Sequence, residues 1–174
     1  SDADYQFLKA RLKADGYDEW HFVVWFMAAT GARVSELLHI KAEHVQIGHL
    51  DLYSKGGKVR RLYIPKALRI EASKWLKAKG CISGYIFLNR FGERITTRGI
   101  AQQLKHFAEK YGMNKEVVYP HSFRHRFAKN FLDRFNDLAL LADLMGHESI
   151  ETTRIYLRRT ASEQQKIVDK VVNW

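Results

Sequence analysis

Apolar positions along this chain recur first at helical spacing, then at alternating spacing, then at helical spacing again. Phe7, Leu8 and Leu12 share a face of a segment that Ser1 can cap and Gly16 can close, which predicts a helix to about Ala14. Asp18 can cap a second helix through Trp20, Phe22, Val23, Trp25, Phe26 and Met27, ended by Gly31. It is apolar on most sides, so it belongs in the core. A third helix is expected from about Arg33 to Ile40, with Val34, Leu37 and Leu38 facing inward.

The texture then changes. Val45 to Ile47, Leu50 to Ser54 and Val59 to Ile64 are short runs rich in strand formers, and Gly56-Gly57 reads as a hairpin turn. Pro65 ends the third run. Helical spacing returns from Lys66 to Lys79, with Leu68, Ala72, Trp75 and Leu76 on one face. Tyr85 to Leu88 reads as a short extended piece. Thr96 or Thr97 caps a helix to about Tyr111, and Gly112 stops it. Pro120 stands ahead of a helix from His121 or Ser122 to Phe135, striped by Phe123, Phe127, Phe131 and Leu132. Asp137 caps a helix carrying Leu138, Leu141 and Leu144 to Gly146, and Ser149 caps the segment leading to Tyr156. A last helix is expected over Ser162 to Val172. The pattern predicts a mainly α chain with one small antiparallel β-sheet, an α+β fold, as a single domain over residues 1–174. No internal repeat, low-complexity tract or linker interrupts it.

Composition sharpens this picture. The 174 residues are 46% hydrophobic with two prolines, enough for a real core and unlike a disordered chain. The net charge is +10 and the pI about 9.7, which favours a polyanionic partner, although a solvated basic surface gives the same numbers. The single cysteine, Cys81, excludes an internal disulfide and fits a reducing compartment. No apolar run approaches the roughly 18 residues of a membrane span. The opening Ser1-Asp2-Ala3-Asp4 has no basic region of a signal peptide and no initiator methionine, so a piece of a longer protein lacking its N-terminal portion is expected.

The candidate chemistry lies in three segments. Thr30-Gly31-Ala32-Arg33-Val34-Ser35-Glu36-Leu37 supplies one arginine, and Pro120-His121-Ser122-Phe123-Arg124-His125 supplies a second with two histidines. Gly146-His147 leads to Tyr156 among Arg154, Arg158 and Arg159. Two guanidinium groups can clamp the non-bridging oxygens of one phosphate. A phenol can attack phosphorus and hold it as an ester, and surrounding positive charge stabilises the attacking phenolate. His121, three residues before Arg124, shares its helix face and can donate to the same phosphate. A lone arginine at a helix start is usually a surface charge, a single histidine is usually a satisfied polar residue, and most tyrosines pack. The order of the set argues against these readings.

Two other readings weaken on inspection. His121 and His125 have the i, i+4 spacing of a zinc pair, but Ser122 stands where the general-base glutamate belongs and Arg124 adds a fixed positive charge, so no metal is expected. Tyr53 to Ile70 holds Lys55, Lys58, Arg60, Arg61, Lys66 and Arg69 and no acid. Its Ser54-Lys55-Gly56-Gly57-Lys58 tip is superficially similar to a nucleotide-binding loop, but Val59 follows Lys58 where Ser or Thr is required. A lysine reaching a phosphate from this turn and a solvated hairpin both remain open.

Taken together, these segments resemble the catalytic domain of the tyrosine recombinases, the phage-type integrases, over nearly the whole chain. The resemblance implies a mostly helical domain with a lysine-bearing hairpin. It implies that Arg33 and Arg124 bind the scissile phosphate and that Lys55 protonates the departing 5′ hydroxyl. His121 would act as acid/base or phosphate donor, His147 as a hydrogen-bond donor to the phosphate, and Tyr156 as the nucleophile of a 3′-phosphotyrosyl bond. Glu36 would brace the arginine helix. Lys58, Arg60, Arg61, Arg154, Arg158 and Arg159 would contact DNA. No cofactor is implied, because the ester keeps the energy of the broken linkage. Phe123 and Met145 stand where leucine is frequent, Ser54 where glycine is common, and Lys58 rivals Lys55. The N-terminal core-binding domain typical of the family is expected to be absent from this chain.

The implied partners are double-stranded recombination sites and further protomers in a DNA-bound tetramer. The domain alone is expected to be monomeric, without a membrane, in the bacterial cytoplasm, serving integration or excision of a mobile element or phage. A type IB topoisomerase and a non-catalytic basic DNA-binding domain remain as alternatives. The C-terminal helix, with Ile167, Val168, Val171 and Val172 on one side, is expected either on a neighbouring protomer or folded back on its own domain.

Overall fold

Among the described residues the chain forms ten α-helices, one 3-10 turn and a two-stranded antiparallel sheet. The computed structural model describes residues 1–53, 57–146, 150–157 and 159–174, with the side chains at 150, 151 and 157 outside the description. The chain divides into two compact units, Ser1–Phe127 and Ala128–Trp174. Among the described residues, no helix is long and apolar enough to cross a membrane.

The first unit begins with α1 (Asp2–Ala14), where the Ser1 hydroxyl accepts from the Asp4 backbone N–H. Leu8 and Leu12 are buried, whereas Phe7 remains 47% exposed with an edge-on contact to Tyr111. Helix α2 (Asp18–Thr30) buries His21, Phe22, Val23, Val24, Phe26, Met27 and Thr30, as expected of a helix apolar on most sides. Asp18 is its first residue rather than its cap. Gly31 ends it with φ 70°, a left-handed turn that favours glycine. Helix α3 is shorter than its apolar spacing predicts and covers Val34–Leu37, with Arg33 as the N-cap residue.

The run Val45 to Ile47 is a correction. It forms the end of helix α4 (Ala42–Ile47), not a strand. Helix α4 starts where His44 Nδ1 accepts from the Lys41 N–H and Ala42 N–H donates to the Gly84 carbonyl. These bonds satisfy donors at the helix start, and the Val45 N–H donates within the chain segment to the Lys41 carbonyl at 3.3 Å. Strands β1 (His49–Tyr53) and β2 (Val59–Tyr63) then pair, with Asp51 opposite Arg61 and Tyr53 opposite Val59. Pro65 caps α5 (Lys66–Ala78). Tyr85 and Leu88 make single antiparallel bridges to Lys41 and Arg94 around buried Ile86 and Phe87. Helix α6 (Thr97–Lys110) starts from Thr96, whose hydroxyl accepts from Gly99 N–H at 3.0 Å. The core joins α1, α2, α5 and α6, with Phe22, Trp75 and Phe87 stacked in series.

Helix α7 (Pro120–Arg134) runs through the boundary between the units. Proline suits the first position because it has no N–H to leave unpaired. In the second unit, Asp137 caps α8 (Leu138–Met145) through the Leu140 N–H, and Gly146 ends it at φ 70°. Helix α9 (Ile150–Arg154) passes into a single 3-10 turn, Ile155–Leu157. Thr160 and Glu163 reciprocally cap α10 (Ala161–Val171). Helix α10 buries none of its residues, and Ile167, Val168, Val171 and Val172 remain exposed.

Candidate active site

The turn after α2 carries the first arginine. Thr30 Oγ1 donates to the Phe26 carbonyl at 2.6 Å and accepts from the Ala32 N–H at 3.2 Å. Gly31 supplies the left-handed residue, and Arg33 follows with extended backbone at the start of α3. The Arg33 N–H donates to Glu36 Oε1 at 2.8 Å, and its Nη1 reaches Glu36 Oε2 at 3.3 Å. The Arg33 side chain is 46% exposed, so it remains accessible from solvent while it contacts Glu36.

Arg124, in the first turns of α7, is only 5% exposed. Its Nη1 donates to the Gly31 carbonyl at 2.5 Å. The sequence places these residues 93 positions apart, yet the fold hangs the second arginine on the turn that carries the first. Gly31 lies two residues before Arg33, and two residues span at most about 7 Å. The interior thus holds a guanidinium by its carbonyl partner while a neighbouring one remains on the surface. Both stand near helix N-termini, where backbone N–H groups favour an anion.

His121 is exposed near the start of α7, which Ser122 stabilises through its bond to the Tyr119 carbonyl. Its ring meets that of His125 edge-on at 4.2 Å. Burial first, then the charges of His121 and Arg124, hold the His125 pKa below the ordinary histidine value. A neutral His125 beside an exposed His121 limits the positive charge that must be stored there before an anion arrives.

The hairpin divides its cations. Lys58 is exposed. Arg61 pairs with Asp51 across the strands through Nε at 2.8 Å and Nη2 at 3.2 Å. Arg60, expected from its sequence neighbourhood to meet DNA, forks onto Glu36 with Nη1–Oε2 at 2.5 Å and Nη2–Oε1 at 3.0 Å. Strand alternation carried a signal of this: Arg60, Leu62 and Ile64 share a face, and the latter two are buried. Lys55 lies outside the described residues. Burial pushes the Glu36 carboxyl up, but the Arg60 hydrogen bonds, the Arg33 N–H and both guanidinium charges outweigh it, so the carboxyl titrates below its ordinary value.

In the second unit, Tyr156 is half-buried in the 3-10 turn. Arg154 is exposed beside it in sequence, and Arg159, also exposed, donates to Asn136 Oδ1 at 3.2 Å. His147 and Arg158 lie outside the described residues. The first unit therefore bonds Arg33, Glu36 and Arg60 into one group and holds Arg124 on the Gly31 carbonyl, two residues before Arg33, whereas Tyr156, Arg154 and Arg159 are placed within the second.

The family model described as the phage integrase family matches residues 6–163. The chain belongs to the phage integrase family. Tyrosine recombinase XerA of Pyrococcus furiosus is 34% identical over 154 residues, which is 85% of this chain and 53% of that protein. Tyrosine recombinase XerC of Salmonella typhi is 33% identical over 135 residues, 75% of this chain and 45% of that one. This family member thus spans about half the length of those relatives. The crystal structure of XerA recombinase superposes with a TM-score of 0.78 at 24% identity, covering 100% of this chain and 65% of that one. The Tn1549 transposon integrase in complex with circular intermediate DNA gives 0.81 at 17% identity, covering 99% and 66%. At these identities the structural likeness speaks for the fold: a mostly helical integrase-type domain with a small antiparallel sheet.

Proposed function

We propose that residues 1–174 are the catalytic domain of a site-specific DNA recombinase that cuts and rejoins strands through a 3′-phosphotyrosyl ester. The observation that carries this reading is the arginine pair: Arg124 of α7 bonded to the Gly31 carbonyl, two residues before the exposed Arg33. Two such groups beside one turn suit the two non-bridging oxygens of a phosphodiester. In the proposed step the Tyr156 phenolic oxygen bonds to phosphorus and the P–O5′ bond breaks. The phenolic proton passes to a base, His121 in this reading, and the Lys55 ammonium protonates the leaving 5′ oxygen. Arg33, Arg124 and His147 bind the charge that builds on the non-bridging oxygens. Reversal with a new 5′ hydroxyl rejoins the strand, so the phosphoester energy is conserved.

The substrate is double-stranded DNA at recombination sites, and the working assembly is a tetramer of protomers inside the cell. The domain alone is a monomer without DNA. The biological setting is integration or excision of a mobile element. Lys58, Arg154, Arg158 and Arg159 follow the DNA backbone, with Arg61 joining once phosphate displaces Asp51. XerA, XerC and XerD relatives and structures of family members with DNA support this reading.

The test is a nicked duplex whose cleaved strand loses its 5′ end by diffusion, incubated with the protein and resolved under denaturing conditions. A covalent adduct mapping to the peptide of Tyr156, and lost in Tyr156→Phe while DNA affinity persists, is the expected result. No adduct, or an adduct on another residue, overturns it.

A further inference from the structure

One carboxylate in the first unit faces two guanidinium groups, and it does not treat them alike. Arg60 takes both Glu36 oxygens in a fork at 2.5 and 3.0 Å, whereas the Arg33 guanidinium has one longer contact at 3.3 Å. The Arg60 and Glu36 side chains are 12% and 15% exposed, so their pairing is the interior one. Arg33 donates its backbone N–H to the same carboxylate, which fixes the start of α3 without consuming the side chain. A bidentate arginine–carboxylate pair satisfies its members geometrically, and a half-buried carboxylate robbed of its partner seeks another cation. The nearest cation is Arg33.

We infer that Arg60 is a positioning residue for Arg33: by saturating Glu36 it keeps the Arg33 guanidinium available to the scissile phosphate. This rests on the recombinase reading above for the identity of the phosphate. Glu36 has one negative charge, and Arg60 neutralises it. The Arg33 guanidinium is then left with its single longer contact to Glu36, while Glu36 still holds the Arg33 backbone. Without Arg60, Glu36 pairs with Arg33 in a closed fork, which a phosphate must break before binding. A basic strand residue that reads from sequence as a DNA contact thus serves the site from within.

A pure brace and a charge-saturating partner respond oppositely to a second substitution. The set is wild type, Arg60→Met, Glu36→Gln and the double variant, with the methionine keeping the apolar stem. Single-turnover cleavage of the nicked duplex is measured for each, with thermal melting as a control on folding. Arg60→Met is expected to slow cleavage roughly tenfold, the scale of coupling within one ion-pair network. The double variant is expected to recover most of that loss, because a neutral glutamine accepts the Arg33 N–H but does not trap the guanidinium. A double variant as slow as Arg60→Met or slower overturns the inference, as does wild-type cleavage in Arg60→Met. Side-chain NMR of the Arg33 guanidinium reads the pairing with no DNA present. Its rotation should slow in Arg60→Met and be released in the double variant, and unchanged rotation overturns the inference. Absence of adducts from wild type would instead strike the recombinase reading, leaving the NMR result to decide this one.

Discussion

Arg124 donates to the Gly31 carbonyl at 2.5 Å, and the Phe127 ring one helical turn later lies against the same glycine. A Cβ built on Gly31 would stand 2.6 Å from Phe127 Cδ1, inside any real contact. The closeness of α7 to the end of α2, and hence of Arg124 to the Arg33 turn, depends on a missing side chain at a residue that also has φ 70°.

Gly31→Ala should therefore cost twice, in backbone strain and in displaced packing. Together these come to about 2–4 kcal/mol of stability. Urea unfolding measures the loss. A change within about 0.5 kcal/mol, the range of an ordinary surface substitution, would mean that α7 adjusts freely.

Arg33→Lys and Arg124→Lys keep the charge and lose the planar fork. Each should slow cleavage roughly 10²-fold or more, the scale of losing one transition-state donor. Single-turnover rates within a few-fold of wild type for both would remove the clamp. Arg124→Lys should also lower stability, because the buried Gly31 carbonyl loses its guanidinium partner.

Lys55 and Lys58 are separable by leaving-group chemistry. A DNA substrate with sulfur in place of the 5′ bridging oxygen needs little protonation on departure. It should rescue Lys55→Ala and not Arg33→Lys. Rescue of Lys58→Ala instead would move proton donation along the hairpin.

Stability should rise with pH through the histidine range. Burial first, then the charges of Lys9 and Lys13, lower the His21 pKa from 6.5, against the raising effect of its bond to the Lys9 carbonyl. Burial likewise leads the lowering at His44 and His125. As pH falls below about 6.5 the unfolded chain binds protons that the folded chain refuses, so stability is lost until the depressed folded values are passed. Denaturation midpoints at pH 7.5 and 5.5 check this, with a shallower slope expected for His21→Phe. A flat wild-type profile would refute it.

Helix α10 buries none of its residues, and Trp174 beyond it is 90% exposed. Deleting the residues after Ala161 should weaken assembly on paired DNA sites more than binding to a single site. Equal losses in gel-shift assays of the two would assign the helix to its own protomer.

Local physics determined much of this protein. Ser1, Thr96 and Asp137 each offered a side-chain oxygen to a helix start, and Gly31 and Gly146 each allowed a left-handed stop, so those ends were legible from residue type alone. The ordered arginines, histidines and tyrosine carried the family resemblance for the same reason: the residue types and their order along the chain are read without knowing where they fold, and the family match over residues 6–163 agrees with it. Tertiary structure decided what depends on distant partners. Val45 to Ile47 has strand-forming residues, yet it ends a helix whose start is anchored by His44 and by the distant Gly84 carbonyl. Arg60 looked like one cation among several until Glu36, 24 residues away, claimed both of its terminal nitrogens. Arg124 could be placed on a helix from sequence, but its burial on a carbonyl 93 residues distant arises only when α7 packs against glycine. A side chain's type is local, whereas its charge partner is fixed by which remote surfaces meet.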